Sequence, residues 1–311
     1  MEKGEGAVIR EKYEVKAYPS LLFISPDGEL IHKRVGAPQA VQDYIDLGLK
    51  AMKPEECYTA YVKRYQKGEN SPEFILGYLK IMTDAYLPVD EPLNKYFSSQ
   101  QPEQLTSKTN WQILYGYCND MNSVAFRYLV SHQDEFGSLY SKDTVNTKIF
   151  NVFFYSLVQY ARSMSMTEDG YSKLKKEVIS SGFMEAGKVV FIADLNIYQM
   201  RGDQEKFMEL AYKDLDKYYK DDYSVLNNIA WIFHSFSKDK KYLEKAEKWA
   251  QRSVDLKSEA YNNNTYAALL YDLGKKGEAL KYCRIALELA RKQDIQTVDI
   301  ENCLKRYEEG K

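Results

Sequence analysis

The chain has 311 residues, with 43 Lys and Arg against 45 Asp and Glu and a formal net charge of −2. Charges of both signs are interspersed, so the basic face that tracks a nucleic-acid backbone is not expected. The apolar runs are too short for a bilayer-spanning helix and the N-terminus carries no signal-peptide apolar stretch, so the chain as written reads as cytoplasmic.

In chain order, residues 7–13 read as a short helix. Leu21, Leu22, Phe23 and Ile24 then form an unbroken apolar run, the pattern of a strand buried on both faces. Pro26-Asp27-Gly28 ends it with turn chemistry: Pro presets φ, Asp bonds local backbone and Gly accepts positive φ. Residues 29–35 alternate loosely, with Leu30, His32 and Arg34 against Ile31, Lys33 and Val35, as an outer strand of the same sheet would. Gly36 breaks that strand. Val41, Ile45 and Leu49 then fall at helical spacing and predict an amphipathic helix over 38–50.

A Tyr18-Pro19 step directly before the first strand, with Tyr13, the 21–24 run, Gly28 and Gly36, resembles the second half of a thioredoxin domain. The resemblance covers about the first fifty residues. It implies a partial thioredoxin-like α-β-β-α unit over 1–52 in which the Tyr18–Pro19 bond is cis. In that family the backbone before the cis proline pairs with an extended client, which makes Tyr18 and Pro19 the candidate substrate-binding residues. Residues 1–6 resemble the segment that follows the third strand of secreted and periplasmic relatives. Met1 then reads as an internal methionine of a longer, periplasmic protein.

The cysteines depart from the family. Cys57, Cys118, Cys283 and Cys303 contain no Cys-x-x-Cys pair, the spacing that lets one thiol attack and the other resolve the mixed disulfide. All four fall in sequence that reads as helical, where free Cys serves as a small apolar residue. No catalytic residue is assigned, and this chain alone is expected to be inactive as a thiol-disulfide oxidoreductase. His32, His132 and His234 are scattered without acids at ligand spacing, so neither a metal site nor a cofactor is expected.

From about residue 52 onward the pattern is helical nearly throughout. Helices are expected over 54–66, 71–86, 91–98, 109–118, 124–132 and 145–164, an irregular helical domain spanning 53–190. Trp111, Tyr115, Phe126, Tyr128, Phe150, Phe153 and Phe154 are its candidate aromatic core. Over 191–311, Ala267, Ala279 and Ala286 with Gly274 between two helical stretches resemble a tetratricopeptide repeat. Ala230, Ala246 and Ala250 give an earlier copy, and Gly202, Phe207 and Ala211 a weaker third. A helix over 297–307 is expected to cap the array.

These readings combine into a mainly α protein: a tetratricopeptide-like α-α helical repeat array preceded by a partial thioredoxin-like unit. Fusions of this kind resemble thiol-disulfide oxidoreductases of Bacteroidetes-type bacteria, which serve cell redox homeostasis. Lacking the redox pair, this chain is expected to bind protein or peptide clients. The competing reading is a pure tetratricopeptide-type scaffold with no redox role.

Overall fold

The structure, a computed structural model, describes residues 5–309. Residues 1–4, which carry the reading of Met1 as an internal methionine, lie outside the described residues. The protein is mainly helical, with eighteen helices and one two-stranded sheet among the described residues. None of these helices is long and apolar enough to cross a membrane. The chain divides into two compact units, Met1–Ser156 with Ser180–Phe183, and Leu157–Ile179 with Met184–Lys311.

The first unit opens with α1 (Glu5–Lys12), then β1 (Ser20–Ile24) and β2 (Leu30–Val35), an antiparallel hairpin. The hairpin turn uses Gly28 at φ 79°, where a side chain would be strained, and the Gly28 N–H donates to the Ser25 carbonyl at 2.9 Å. Helix α2 (Val41–Ala51) follows, then α3 (Tyr58–Gln66), α4 (Pro72–Asp84), α5 (Asp90–Ser98), α6 (Pro102–Leu105), α7 (Lys108–Tyr117), α8 (Val124–Ser131) and α9 (Gln133–Tyr140). Ser107 and Ser123 cap α7 and α8 by accepting backbone N–H groups, which satisfies donors that a helix start leaves orphaned. Strand β2 packs on α3 and α4, so the hairpin is tied to the helices along its second strand.

The apolar run of β1 is not buried on both faces. Its residues are half-buried and Ile24 is exposed, whereas the buried pair lies on β2, at His32 and Lys33. The reason is position: β1 is the free edge of a two-stranded sheet, and β2 lies against the helices.

The division between units falls within α10 (Lys142–Arg162). The second unit continues with α11 (Glu168–Ile179), α12 (Ala186–Arg201), α13 (Gln204–Tyr219), α14 (Tyr223–Phe236), α15 (Lys240–Leu256), α16 (Ala260–Asp272), α17 (Lys276–Lys292) and α18 (Val298–Glu309). Consecutive helices pack in turn: α12 on α13, α14 on α15, α16 on α17, and α18 on α17. Gly202 and Gly274 end α12 and α16 at φ 70° and 79°, and Asp203 caps α13 through the Lys206 N–H at 3.2 Å. Ala230, Ala246, Ala250, Ala267, Ala279 and Ala286 are fully buried where helices meet, and small side chains are what close approach requires. Larger groups fill the spaces between: Phe233 meets Trp249 edge-on with ring centroids 5.1 Å apart, and Tyr266 meets Tyr282 at 4.6 Å.

Candidate functional site

The Tyr18–Pro19 peptide bond is cis. Pro19 is exposed and Tyr18 is 49% exposed, immediately before β1. The Pro19 carbonyl accepts the Gly36 N–H at 2.8 Å, which extends the ladder one step beyond the strands. This bond also sets the phase of the hairpin. In an antiparallel pair hydrogen-bonded and non-hydrogen-bonded residues alternate. Pro19, Leu21 and Phe23 therefore address β2, opposite Gly36, Arg34 and His32. The N–H and C=O groups of Ser20 and Leu22 point the other way. Among the described residues β1 has a single strand neighbour, so those groups form an open edge.

Four polar anchors hold the hairpin in place. Lys33 reaches from β2 to the end of α1, where its Nζ donates to the Glu14 carbonyl at 2.7 Å and the Tyr13 carbonyl at 3.2 Å. Tyr13 Oη donates to the Gly28 carbonyl at 2.9 Å, tying α1 to the hairpin turn. On the opposite sheet face His32 Nδ1 accepts the Tyr58 N–H at 3.1 Å, at the start of α3. That bond places the proton of the neutral ring on Nε2. Burial, with Lys50 next in weight, pulls the imidazole down to about 4. Thr59 Oγ1 donates to the Leu30 carbonyl and, at 3.2 Å, to the Ile31 carbonyl, which blocks the edge of β2 that β1 does not occupy. The open edge of the hairpin is thus the β1 edge beside Tyr18 and Pro19.

The cysteines are dispersed. Cys57 precedes α3 and its thiol donates to the Pro54 carbonyl at 3.7 Å, and Cys118 ends α7 beside Ser123 Oγ at 3.1 Å. These two flank helices rather than lying within them, a correction to the sequence reading; Cys283 and Cys303 lie inside α17 and α18. Burial pushes the Cys118 thiol up and the Cys283 thiol up to about 11, which holds both as unreactive neutral groups. An open depression of about 560 Å³ is lined by Leu30, Ile31, Cys57 and Ala60, with Glu29, Glu55, Lys63 and Arg64 among its charged neighbours. The chain matches no family model, no curated protein and no solved structure.

Sequence reasoning missed the buried charges. Lys148 on α10 is almost completely buried, with Nζ donating to Asn119 Oδ1 at 3.1 Å, and burial lowers its amine to about 8. Asp194 on α12 is buried too, accepting from Tyr171 Oη at 2.7 Å and Lys175 Nζ at 2.9 Å. The signal for Lys148 was present: it stands in helical phase with Val145, Ile149 and Val152, all buried. Among the described residues no group of three or more His, Cys, Asp or Glu is placed to hold a metal ion.

Proposed function

We propose that the chain is a non-catalytic polypeptide-binding protein of thioredoxin-like descent, which takes an extended segment along the open edge of β1. The observation that carries this reading is the row of outward N–H and C=O groups at Ser20 and Leu22, directly after the cis Tyr18–Pro19 step. An extended backbone is the partner that satisfies such a row, since it offers donors and acceptors at the same repeat. The Tyr18 and Pro19 side chains flank the start of this edge and are both accessible. Oxidoreductase chemistry is not part of the proposal, because no two cysteines stand in the spacing that disulfide exchange needs.

Hydrogen exchange of the full chain with and without an extended apolar peptide tests the reading. Slowed exchange at the Ser20 and Leu22 amides is expected. Leu22→Pro, which removes an outward N–H and leaves the ladder to β2 intact, is expected to weaken binding at least tenfold. Unchanged exchange at both amides under saturating peptide would remove the proposal. In an insulin-reduction assay the chain is expected to show no turnover above the dithiothreitol background.

The alternative, a tetratricopeptide-like scaffold, draws support from the repeated use of buried alanines and of Gly202 and Gly274 in successive helix pairs of the second unit. In that case peptide would protect amides on α14 and α16 and leave β1 unaffected.

A further inference from the structure

Helix α2 carries an apolar stripe that the described residues leave uncovered. Leu47 and Ala51 are buried, but Val41, Tyr44, Ile45, Leu49 and Met52 are 45% to 80% exposed. At 100° per residue these five form one stripe on the flank of α2 that also carries Gly48. That flank is located by contact: a Cβ on Gly48 would lie 3.9 Å from the ring of Phe23 on β1. The other flank carries Lys50, whose charge acts on His32 of β2 and is itself acted on by Arg34 of the same strand. Helix α2 therefore lies across the hairpin with Lys50 toward β2 and the stripe overhanging the free edge of β1.

Resting on the strand-addition reading above, we propose that the polypeptide β1 takes is a second copy of this chain, giving a two-fold dimer through one continuous four-stranded sheet. Pairing β1 antiparallel with its copy about Leu21 sets Ser20 opposite Leu22 and Leu22 opposite Ser20. All four outward groups of each strand are then satisfied in four hydrogen bonds, and Leu21 faces its own copy as the non-hydrogen-bonded pair. The dyad of an antiparallel pair is perpendicular to the sheet, so both copies of α2 lie on the same face with their stripes turned toward each other.

The dimensions agree. Four strands span about 14 Å from first to last, and two helices centred over their own hairpins then lie about 10 Å apart, the ordinary spacing of packed helices. With five large side chains about half exposed or more, the stripe is a patch on the order of 500 Å² per copy, at the upper end for a monomer surface. Two such patches reach about 1,000 Å², the threshold of a specific interface, before the strand edges are added. A lone extended peptide would satisfy the edge and leave most of the stripe in water. A second copy covers both. Helices α3 and α4 pack on β2, and among the described residues β1 has no strand neighbour on the side from which the copy approaches.

Light scattering and sedimentation of the full chain test the proposal. A species of twice the chain mass is expected at micromolar concentration. Ile45→Asp with Leu49→Asp, both at exposed positions that leave the monomer fold intact, is expected to weaken self-association at least a hundredfold. Leu21→Cys is expected to form an intermolecular disulfide on oxidation, since the non-hydrogen-bonded pair brings Cα atoms to about 4.5 Å; Ser20→Cys, off the dyad, is not. A monomer that persists at 100 µM would overturn self-pairing. If that monomer still protects Ser20 and Leu22 on adding an extended peptide, strand addition survives with another partner. If it does not, both readings fail. A dimer that the double substitution leaves intact and that Leu21→Cys does not cross-link would place the interface elsewhere and overturn the proposal.

Discussion

Helices α2 and α17 carry the same kind of pattern and meet opposite fates. In α17, Ala279, Cys283, Ala286, Leu287 and Ala290 repeat at helical spacing, and all are buried against α16 and α18. In α2, Val41, Ile45 and Leu49 repeat just as regularly and remain in solvent, while Leu47 and Ala51 turn inward. The pattern tells which side of a helix will be covered when a partner is available. It does not tell whether that partner lies in the same chain. The helix pairs of the second unit satisfy their own patterns, whereas the hairpin region of the first presents an unfinished edge and an uncovered stripe.

The comparison can be broken most forcefully from its well-packed side. Phe233 is fully buried between Trp249 and Tyr242, and Phe233→Ala is expected to destabilise the second unit by about 3–5 kcal/mol in urea unfolding. A loss under 1 kcal/mol would mean that this core is far looser than its geometry.

In the hairpin region the corresponding test is pH. His32 is held neutral, with its imidazole at about 4 in the native state against 6.5 in the unfolded chain. Its contribution is complete above pH 6.5, and as pH falls from there to about 4 the unfolded chain binds the proton that the native state refuses. Up to about 3 kcal/mol of stability is expected to disappear over that window. His32→Gln, which keeps an acceptor for the Tyr58 N–H, is expected to flatten the profile. An identical slope in the variant would assign the acid sensitivity to other groups.

Lys148 gives a smaller effect, and its substitution is expected to stabilise rather than destabilise. At pH 7 it is charged and buried, so Lys148→Met is expected to raise stability by about 1–2 kcal/mol, with the exposed Asn119 amide turning to water. The wild-type chain is expected to gain stability as pH rises from 8 toward 10.5, where the native amine gives up its proton before the unfolded one, and the variant is expected to lack that gain. The smallest effect belongs to the stripe. Leu49→Ala in dilute, monomeric protein is expected to change the unfolding free energy by less than about 0.5 kcal/mol, because the side chain is already in water.

Much of the local structure was legible in the residues. The Pro26-Asp27-Gly28 turn separates two strands, and Gly202 and Gly274 stop helices, because these residue types restrict or release φ whatever surrounds them. Periodicity located α4, α7, α8 and the helices of the second unit from α12 onward for the same local reason. Helices α9 and α11 went unread: Phe136 and Tyr171 anchor them, but each helix is dominated by polar residues that local pattern assigns to loops as readily as to helices. Of the candidate site, Tyr18 and Pro19 were singled out by their place before the apolar run. The outward phase of Ser20 and Leu22 depends on which residue of the neighbouring strand Gly36 bonds, and no residue type signals that.

The sequence by itself determined the class of the protein, the hairpin and the helix ends, since these follow from φ preferences and hydrophobic periods acting over a few residues. Only tertiary structure decided that β2 and not β1 would be the buried strand, that His32 and Lys33 would be enclosed, and that the stripe of α2 would face away. Those outcomes depend on which surfaces meet. The free energy of burial follows the area removed from water, and that area does not exist until residues far apart in the chain are brought together.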